Sequence, residues 1–380
     1  MELTTNYQAL FYLSTGFFSL VTLLLGFRAV GNRLDHKLVN STSGSSDNWR
    51  GKGELELVAA FNETHDIKSL VFRRSNGRNL PEFKAGQFIS FQIGDDSKLL
   101  RSYSISSAPF ERGTVQVSVK RLDGGVGSQW MHQLKPGAKL IAHAPSGLFV
   151  DDFSSSAPRV YIAGGIGITP FLSMIQSQMN QPNSPTIHLF YGMRTSRDMA
   201  FHQLLMHWSI RNPKIKYFPI LSAKDEQWAG DVGYINMELI KSKIGIDTAA
   251  KYFMCGPSVM TDKLIEQLAV AGVPSENIHN EKFASPTSFD RSKIENRNLE
   301  LTWNGQKIAY SGQLTILESL EHTGVAHPYA CRVGVCGSCK CKVKGKVLAI
   351  TDAGLSEAEK KQGLVLPCVA FPLENLELSI

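Results

Sequence analysis

Four cysteines constrain this chain more than any other feature. Three lie in Cys331-Arg-Val-Gly-Val-Cys336-Gly-Ser-Cys339, a C-x4-C-x2-C spacing, and Cys368 follows in Leu-Pro-Cys-Val-Ala-Phe-Pro. Thiolates are soft ligands, and three in one loop with a distant fourth fit a [2Fe–2S] cluster. Such a loop must wrap two irons while its N–H groups point at sulfur, and Gly334 and Gly337 supply the backbone freedom. Two other readings compete. A zinc site draws more often on C-x2-C pairs than on three ligands crowded into one loop, and cysteines can simply pack or pair. Cys255 and Cys341 stand outside the pattern. A thiolate cluster with unpaired thiols suits a reducing compartment.

The chain has 380 residues, enough for two or three domains. With 43% apolar and 19% charged residues, its composition is globular. The formal charge of +6 comes without a basic run interleaved with aromatics, which argues against a nucleic-acid partner.

From Leu3 to Phe27 there is no charged residue, and Ala9–Phe27 is almost entirely apolar or small. About 20 helical residues cross a ~30 Å hydrocarbon core. The expectation is a retained transmembrane helix within residues 1–30; a cleaved signal peptide or a buried or interfacial helix are the alternatives. The only early charge is Glu2, and Gly26-Phe27-Arg28-Ala29-Val30 is a poor cleavage site. Arg28, Arg33 and Lys37 follow against Asp35, which places the C-terminal bulk in the cytoplasm and the chain in the inner membrane as a single-pass protein. Residues 31–52, with the polar run Asn40–Asn48, read as a linker.

Residues 53–152 hold short strand-like runs separated by turn signals: Glu54–Ala60, Lys68–Arg73, Gln87–Ile93, Thr114–Lys120 and Lys139–His143. This pattern suggests an antiparallel β-barrel. Arg101-Ser-Tyr103-Ser104 puts Arg101 and Tyr103 on one face of a strand; an Arg can pair with a pyrophosphate and a Tyr can lie on a flat ring. Gly124-Gly125-Val-Gly127-Ser128 precedes a helix, and amides at a helix start bind anions. Each signal alone is equally compatible with a surface strand or a plain turn.

Residues 153–285 read as an α/β parallel sheet. A strand over Pro158–Ala163 runs into Gly164-Gly165-Ile-Gly167-Ile-Thr169-Pro170 and then a helix. This is the context in which a glycine loop holds a pyrophosphate, although the loop is not a strict G-x-G-x-x-G and an ordinary tight turn competes. Further strands at Thr186–Tyr191, Lys216–Leu221 and Lys251–Cys255 alternate with helices. That brings Gly164, Tyr191–Arg194 and Cys255-Gly256-Pro257 to the carboxyl ends of strands, where ligands sit in such sheets. Without further context, Cys255 reads as a small buried hydrophobe. Arg194, Ser196 and Arg197 could hold a 2′-phosphate, and Asp198 a ribose hydroxyl, so both NADH and NADPH stay open.

Residues 286–297 read as a second linker. In 298–380, a strand to Trp303, Asn304-Gly305 and a strand from Gln306 make a hairpin signal. A helix over Thr315–His322, the cysteine loop, a strand over Lys340–Lys344 and a short helix near Ser356–Lys361 follow. Cys341 is expected to pack, with a fallback ligand as the alternative.

From residue 53 onward, the chain resembles the ferredoxin–NADP reductase family with a C-terminal plant-type ferredoxin domain. The resemblance rests on Arg101-x-Tyr103-Ser104, Gly125–Ser128, Gly164-Gly165-x-Gly167-x-Thr169-Pro170, Tyr191-Gly-x-Arg194, Cys255-Gly256-Pro257 and the four cluster cysteines. It implies FAD as the flavin, with Arg101 on the pyrophosphate, Tyr103 against the isoalloxazine and Ser104 hydrogen-bonding near it. Val119 and Lys120 would line the flavin, and Gly125, Gly127 and Ser128 would hold its phosphate. Gly164, Gly165, Gly167, Thr169 and Pro170 would cradle NADH or NADPH, with Tyr191, Arg194 and Arg197 beyond them. Gly256 and Pro257 would border the nicotinamide, and Cys255 and Glu281 would stand at the reacting centre with Phe283 near the flavin ring. Cys331, Cys336, Cys339 and Cys368 would hold the cluster in a β-grasp (α+β ferredoxin-like) domain.

The domain order is similar to that of hybrid-cluster protein reductases and of the reductase components of oxygenases and desaturases. It implies electron flow from NAD(P)H to flavin to [2Fe–2S] to a partner protein. Together with the expected anchor, it points first to a membrane di-iron desaturase or hydroxylase as acceptor, and second to a soluble hybrid-cluster protein. An iron–sulfur redox sensor is the reading from another class. No Ser-His-Asp or paired-carboxylate set speaks for other chemistry.

Overall fold

Alternating apolar residues build the first sheet. In β1 (Lys52–Asn62), Leu55 and Leu57 are fully buried while their neighbours are not, and β2 (Ile67–Arg74) hides Leu70 and Phe72 in the same core. β3 (Phe88–Gln92), β4 (Leu100–Ser104), β5 (Val115–Lys120) and β6 (Lys139–His143) complete a six-stranded antiparallel sheet of order β4-β3-β6-β1-β2-β5. A bridge between Ile105 and Val117 joins its two edges and closes the barrel. Helix α1 (Val126–Gln133) sits between β5 and β6. The computed structural model describes residue 49 and residues 51–379, apart from 97–98, 180, 284–289, 296–297, 311 and 353. These residues fall in the second of the chain's two units, Asn48–Ile380.

The second sheet is parallel throughout and buried on both faces. β7 (Arg159–Gly164), β8 (Ile187–Met193), β9 (Ile215–Leu221), β10 (Asp231–Val232), β11 (Lys251–Cys255) and β12 (Ile278–Glu281) lie in the order β10-β9-β8-β7-β11-β12. Along β7, Tyr161 and Ala163 enter one core and Val160 and Ile162 the opposite one. Helices α2 (Thr169–Gln178), α3 (His202–Arg211), α4 (Met237–Ile244) and α5 (Ser258–Val270) connect the strands. Helix α4 is not among the expected elements. Its ends are nevertheless marked in the sequence, by Asn236 capping the Leu239 amide at 2.8 Å and by Gly245 at φ +73°. The strand order reverses at β7, between β8 and β11, and such a switch point opens a crevice at the carboxyl ends.

A buried ion pair ties the end of the barrel segment to the parallel sheet. The Asp151 carboxylate accepts from Arg159 Nε at 2.7 Å, Arg159 Nη2 at 3.1 Å and the Tyr161 hydroxyl at 2.9 Å. Arg159 Nη1 also donates to the carbonyls of Ser155 and Ala157. With its remaining donors placed, the buried guanidinium has the partners such a charge needs.

The third region begins with the expected hairpin. β13 (Leu299–Trp303) and β14 (Gln306–Tyr310) are joined by Asn304 at φ +47° and Gly305 at φ +86°, both left-handed as a type I′ turn requires. Helix α6 (Ile316–His322) starts at a reciprocal cap between Thr315 and Glu318. β15 (Cys341–Lys344), β16 (Val347–Ala349), α7 (Glu357–Lys361), β17 (Leu364–Val365), β18 (Ala370–Pro372) and β19 (Leu376–Ser379) follow. The main sheet has the order β14-β13-β19-β15-β17, with β16–β18 as a separate pair. Of the expected linker 286–297, residues 290–295 are described. Arg291 forks onto the Glu318 carboxylate with two bonds of 3.0 Å, so this part is pinned to α6 rather than free.

One expectation is corrected. Among the described residues no helix is long and apolar enough to cross a membrane. The longest, α5, has 13 residues, about 20 Å at 1.5 Å per residue against the ~30 Å required. The apolar stretch within residues 1–30 lies outside the described residues. The transmembrane helix is therefore withdrawn from the fold class, and the single-pass inner-membrane location with it. The multidomain barrel, parallel-sheet and β-grasp architecture stands.

Candidate functional site

The cysteine loop spans α6 to β15. Gly334 and Gly337 take φ of +75° and +69°. A Cβ at Gly334 would lie 2.6 Å from Thr351 Cγ2, and one at Gly337 2.7 Å from the Gly354 carbonyl oxygen. These positions need glycine both for conformation and for space. The loop turns amides onto sulfur: Val333 N–H donates to Cys331 Sγ and Ser338 N–H to Cys336 Sγ, each at 3.4 Å. The sulfurs form two pairs. Cys339 Sγ and Cys368 Sγ are 3.4 Å apart. The Cys331–Cys336 hydrogen bond holds Cys336 down to about 6 and pushes Cys331 up. Two thiol pairs on an amide-lined loop fit a [2Fe–2S] centre, in which each iron takes two protein sulfurs. Cys341 lies elsewhere, in the core with Leu301, Trp303 and Leu320, and burial followed by Cys339 pushes its thiol up to about 12. His327 Nε2 lies 2.8 Å from the Cys339 carbonyl oxygen, and the ring meets Trp303 edge-on.

On the barrel, Arg101 and Tyr103 share a face of β4 and converge on the glycine turn. A Cβ at Gly127 would be 2.6 Å from Arg101 Cγ and 3.4 Å from the Tyr103 hydroxyl. Gly125 is the N-cap of α1 and no side chain caps this end, leaving its amides for a ligand. Ser128 is already engaged: its hydroxyl accepts from Leu122 N–H and donates to the Gly125 carbonyl, each at 3.0 Å, which fixes the turn. Lys120 pairs with Asp66 at 3.2 Å, while Val119 points into the barrel core and its carbonyl meets His132 Nε2 at 2.8 Å. This close approach and these open amides fit a flavin pyrophosphate.

In the parallel sheet, Gly164–Ile168 passes against Cys255-Gly256-Pro257. A Cβ at Gly167 would lie 2.1 Å from the Cys255 carbonyl oxygen, and one at Gly164 2.6 Å from Pro257 Cδ. Gly165 is left-handed at φ +55°, and Thr169 opens α2 with Pro170 in its first turn. Tyr191 is fully buried, and its hydroxyl has no partner among the described residues. Arg194 and Arg197 are exposed. Asp198 caps its own turn, accepting from Thr195 N–H at 2.9 Å and the Thr195 hydroxyl at 2.7 Å.

These parts form one series of contacts. Cys255 and Glu281 are register partners on β11 and β12. The Ser104 hydroxyl donates to Glu281 Oε2 at 3.4 Å. Burial pushes Glu281 up to about 8, and burial with the Glu281 charge pushes Cys255 well up, so both are held protonated near neutrality. Ser104 is the register partner of Phe88 on β3. Phe88 in turn packs in one buried group with Ala330, Cys331 and Cys336. The glycine loop, the β4 strand and the cysteine loop are thus linked through Cys255, Glu281, Ser104 and Phe88. Phe283, beyond β12, stays outside this series with about half of its surface exposed (49%). Phe88 carries no local motif, and only the fold brings it to Cys331 and Cys336.

A dinucleotide loop, a flavin-type barrel and a four-cysteine loop in contact define a pyridine-nucleotide-linked flavin and iron–sulfur protein. Residues 54–150 match the family described as oxidoreductase FAD-binding domain, residues 161–265 the oxidoreductase NAD-binding domain, and residues 301–373 the 2Fe-2S iron-sulfur cluster binding domain. The chain belongs to the ferredoxin–NADP reductase family of flavoproteins, in its branch with a C-terminal [2Fe–2S] domain. It is an NAD(P)H-dependent oxidoreductase carrying FAD and [2Fe–2S], and it moves electrons from NAD(P)H through FAD to the cluster.

Among its relatives is a subunit of the 1,2-phenylacetyl-CoA epoxidase of Escherichia coli, 31% identical over 84% of this chain and 95% of that one. The glycine betaine monooxygenase reductase subunit of Chromohalobacter salexigens is 26% identical over 88% of this chain and 97% of that one. The structure of phthalate dioxygenase reductase, a modular protein for electron transfer from pyridine nucleotides to [2Fe–2S], superposes with a TM-score of 0.59 at 25% identity, covering 86% of this chain and 97% of that one.

Proposed function

We propose that this chain is the reductase component of an oxygenase system, passing single electrons from its cluster to an oxygenase protein. The observation that carries the reading is the contact series from Gly167 through Cys255, Glu281, Ser104 and Phe88 to Cys331 and Cys336. The relatives add the kind of partner: their names make them parts of a monooxygenase, an epoxidase and a dioxygenase system. The expected membrane di-iron desaturase or hydroxylase rested on the withdrawn anchor and falls with it.

The residues divide the work as follows. Gly164, Gly165, Gly167 and the start of α2 receive the pyrophosphate of NADH or NADPH, with Cys255-Gly256-Pro257 closing the nicotinamide side. Arg101, Tyr103 and the open amides from Gly125 to Ser128 hold and orient the FAD. Glu281, partly buried and held protonated near neutrality, can give a hydrogen bond or hold a proton beside Ser104 without bringing a charge to the ring. Bound FAD supplies the conversion between two-electron and one-electron transfer, and the protein supplies orientation and potential. Cys331, Cys336, Cys339 and Cys368 hold the cluster. We assign the FAD barrel to residues 53–152, the nucleotide domain to 153–285 and the cluster domain to 298–380.

The test is steady-state reduction of ferricyanide and cytochrome c by the purified holoprotein with NADH and with NADPH, followed by reconstitution with candidate oxygenase proteins. NAD(P)H-driven substrate oxidation by one of them is the expected result. Turnover with the small acceptors but with no oxygenase would overturn the partner assignment.

A further inference from the structure

The order of strands fixes which way a pyridine nucleotide crosses the parallel sheet. Its pyrophosphate seat, Gly164 to Thr169, lies at the carboxyl end of β7, and Cys255-Gly256-Pro257 takes the nicotinamide side at the end of β11. β11 and β8 flank β7 on opposite sides. The adenosine half is left with the ends of β8 and β9, one and two strand spacings of about 4.8 Å away. Arg194-Thr195-Ser196-Arg197-Asp198 follows β8, and Ser222-Ala223-Lys224-Asp225 follows β9.

These two loops are zipped together. Ser222 N–H donates to the Met193 carbonyl at 2.8 Å and Ala223 N–H to the Arg194 carbonyl at 2.9 Å. Further out, Ser196 N–H donates to Asp225 Oδ2 at 3.0 Å, and Gln227 N–H donates to Asp225 Oδ1 at 3.1 Å. The Ser196 hydroxyl, then the Ser196 and Gln227 amides, hold the Asp225 carboxyl below its ordinary range. A carboxylate accepts at about four positions, so it can take one more donor beyond these.

A backbone amide and a hydroxyl are the donors that a 2′-phosphate needs. Here a carboxylate of the chain itself already holds them. The surrounding charges do not offset it. Residues 194–198 and 222–226 carry Arg194, Arg197 and Lys224, all exposed, against Asp198, Asp225 and the exposed Glu226, with no net charge between them. Asp198 is engaged by Thr195 and lies 4.0 Å from His65 Nε2.

We propose that Asp225 selects the pyridine nucleotide: its carboxylate accepts the 2′-hydroxyl of the adenosine ribose and excludes a 2′-phosphate, so NADH is the reductant of this chain. This rests on the electron-transfer reading above and names the reductant for it. A 2′-phosphate would bring about −1.5 to −2 charges to a place where its donors are taken and a carboxylate stands. A 2′-hydroxyl donates to that carboxylate in a charge-assisted bond. Removing the Asp225 charge leaves Arg194, Arg197 and Lys224 in local excess, which a phosphate would meet favourably.

The experiment uses the holoprotein and two variants, Asp225→Asn and Asp225→Ser. Calorimetry measures binding of ADP-ribose and of 2′-phospho-ADP-ribose, and ferricyanide reduction gives kcat and KM with NADH and with NADPH. Wild-type protein should bind ADP-ribose about tenfold or more tightly than its 2′-phosphate, the scale of ~1.4 kcal/mol, and kcat/KM should favour NADH to the same degree. Either variant should lower KM for NADPH and raise KM for NADH, shrinking the preference about tenfold. The change should fall on KM and not on kcat, because Asp225 lies at the adenosine end and away from the reacting centre. Equal binding of the two ADP-riboses, or a preference for the phosphorylated one, would overturn the proposal. So would variants that keep the wild-type ratio, or that change kcat alone. A holoprotein whose flavin is bleached by neither nucleotide would instead refute the electron-transfer reading.

Discussion

The Ser104 hydroxyl donates to Glu281 Oε2 across 3.4 Å, joining the last residue of β4 to the last residue of β12. Burial pushes Glu281 from 4.5 up to about 8. The folded state therefore holds a proton that the unfolded state has released across this window. Its contribution to stability is complete below the unfolded value, falls as pH rises, and is lost above about 8. The unfolding free energy of the holoprotein, read from denaturant titrations, should fall through this range by at most ~1.4 kcal/mol per pH unit from this group, and Glu281→Gln should flatten that slope. An unchanged slope in the variant would show that Glu281 does not titrate there.

Gly127 and Arg101 should act together on flavin retention. A Cβ at position 127 would sit 2.6 Å from Arg101 Cγ, so Gly127→Ala must displace that side chain. Removing a charge-assisted contact costs ~1.5–3 kcal/mol, so Arg101→Ala should release FAD about tenfold or more readily. The FAD-to-protein ratio after gel filtration checks both variants, and full retention in Arg101→Ala would remove it from the flavin site.

Gly167→Ala should act on the nucleotide and not on the flavin. The added methyl would lie 2.1 Å from the Cys255 carbonyl oxygen, which has no room to yield within the sheet. The expected result is a KM for NAD(P)H raised by an order of magnitude or more, the scale of ~1.4 kcal/mol, with FAD absorbance retained. An unchanged KM would mean that the loop does not meet the dinucleotide.

Cys368→Ser should abolish the visible cluster absorption, whereas Cys341→Ala should keep it. Cys341 lies in the core with Leu301 and Trp303 and not with the ligand sulfurs. Removing its sulfur costs packing, on the order of 1 kcal/mol, read as a small shift in thermal midpoint. Cluster loss in Cys341→Ala would place that thiol among the ligands.

Asp151→Ala should be the most destabilising of these changes. It strands the buried Arg159 guanidinium and removes the acceptor of the Tyr161 hydroxyl, for which a loss of ~3–5 kcal/mol is expected in chemical unfolding. Turnover of protein that remains folded checks that the pair is structural.

Much of this architecture is legible in local pattern. The Val115, Val117, Val119 alternation places β5, Asn304-Gly305 places the hairpin, and strand, glycine loop and helix mark β7 to α2. Helix α4 is less legible, because it is only eight residues long and its apolar Met237, Leu239, Ile240 and Ile244 are interleaved with charged and polar residues, too short a run to show a helical period clearly. The apolar run before residue 28 meets the length needed for a membrane span, yet no described helix has that length and character.

By itself, the sequence determined what depends on short range. Cys331, Cys336 and Cys339 stand close enough along the chain to share one loop, and glycines at 334 and 337 permit its turns, because ligand spacing and φ are local properties. Only the tertiary structure decided what those sulfurs touch. Phe88 lies 243 positions before Cys331 and reaches it because β3 pairs with β4 while the cysteine loop folds over that edge. The Asp151, Arg159 and Tyr161 network and the Ser104 to Glu281 bond were likewise settled by packing. Their partners come from different elements, and nothing in either segment alone encodes the meeting.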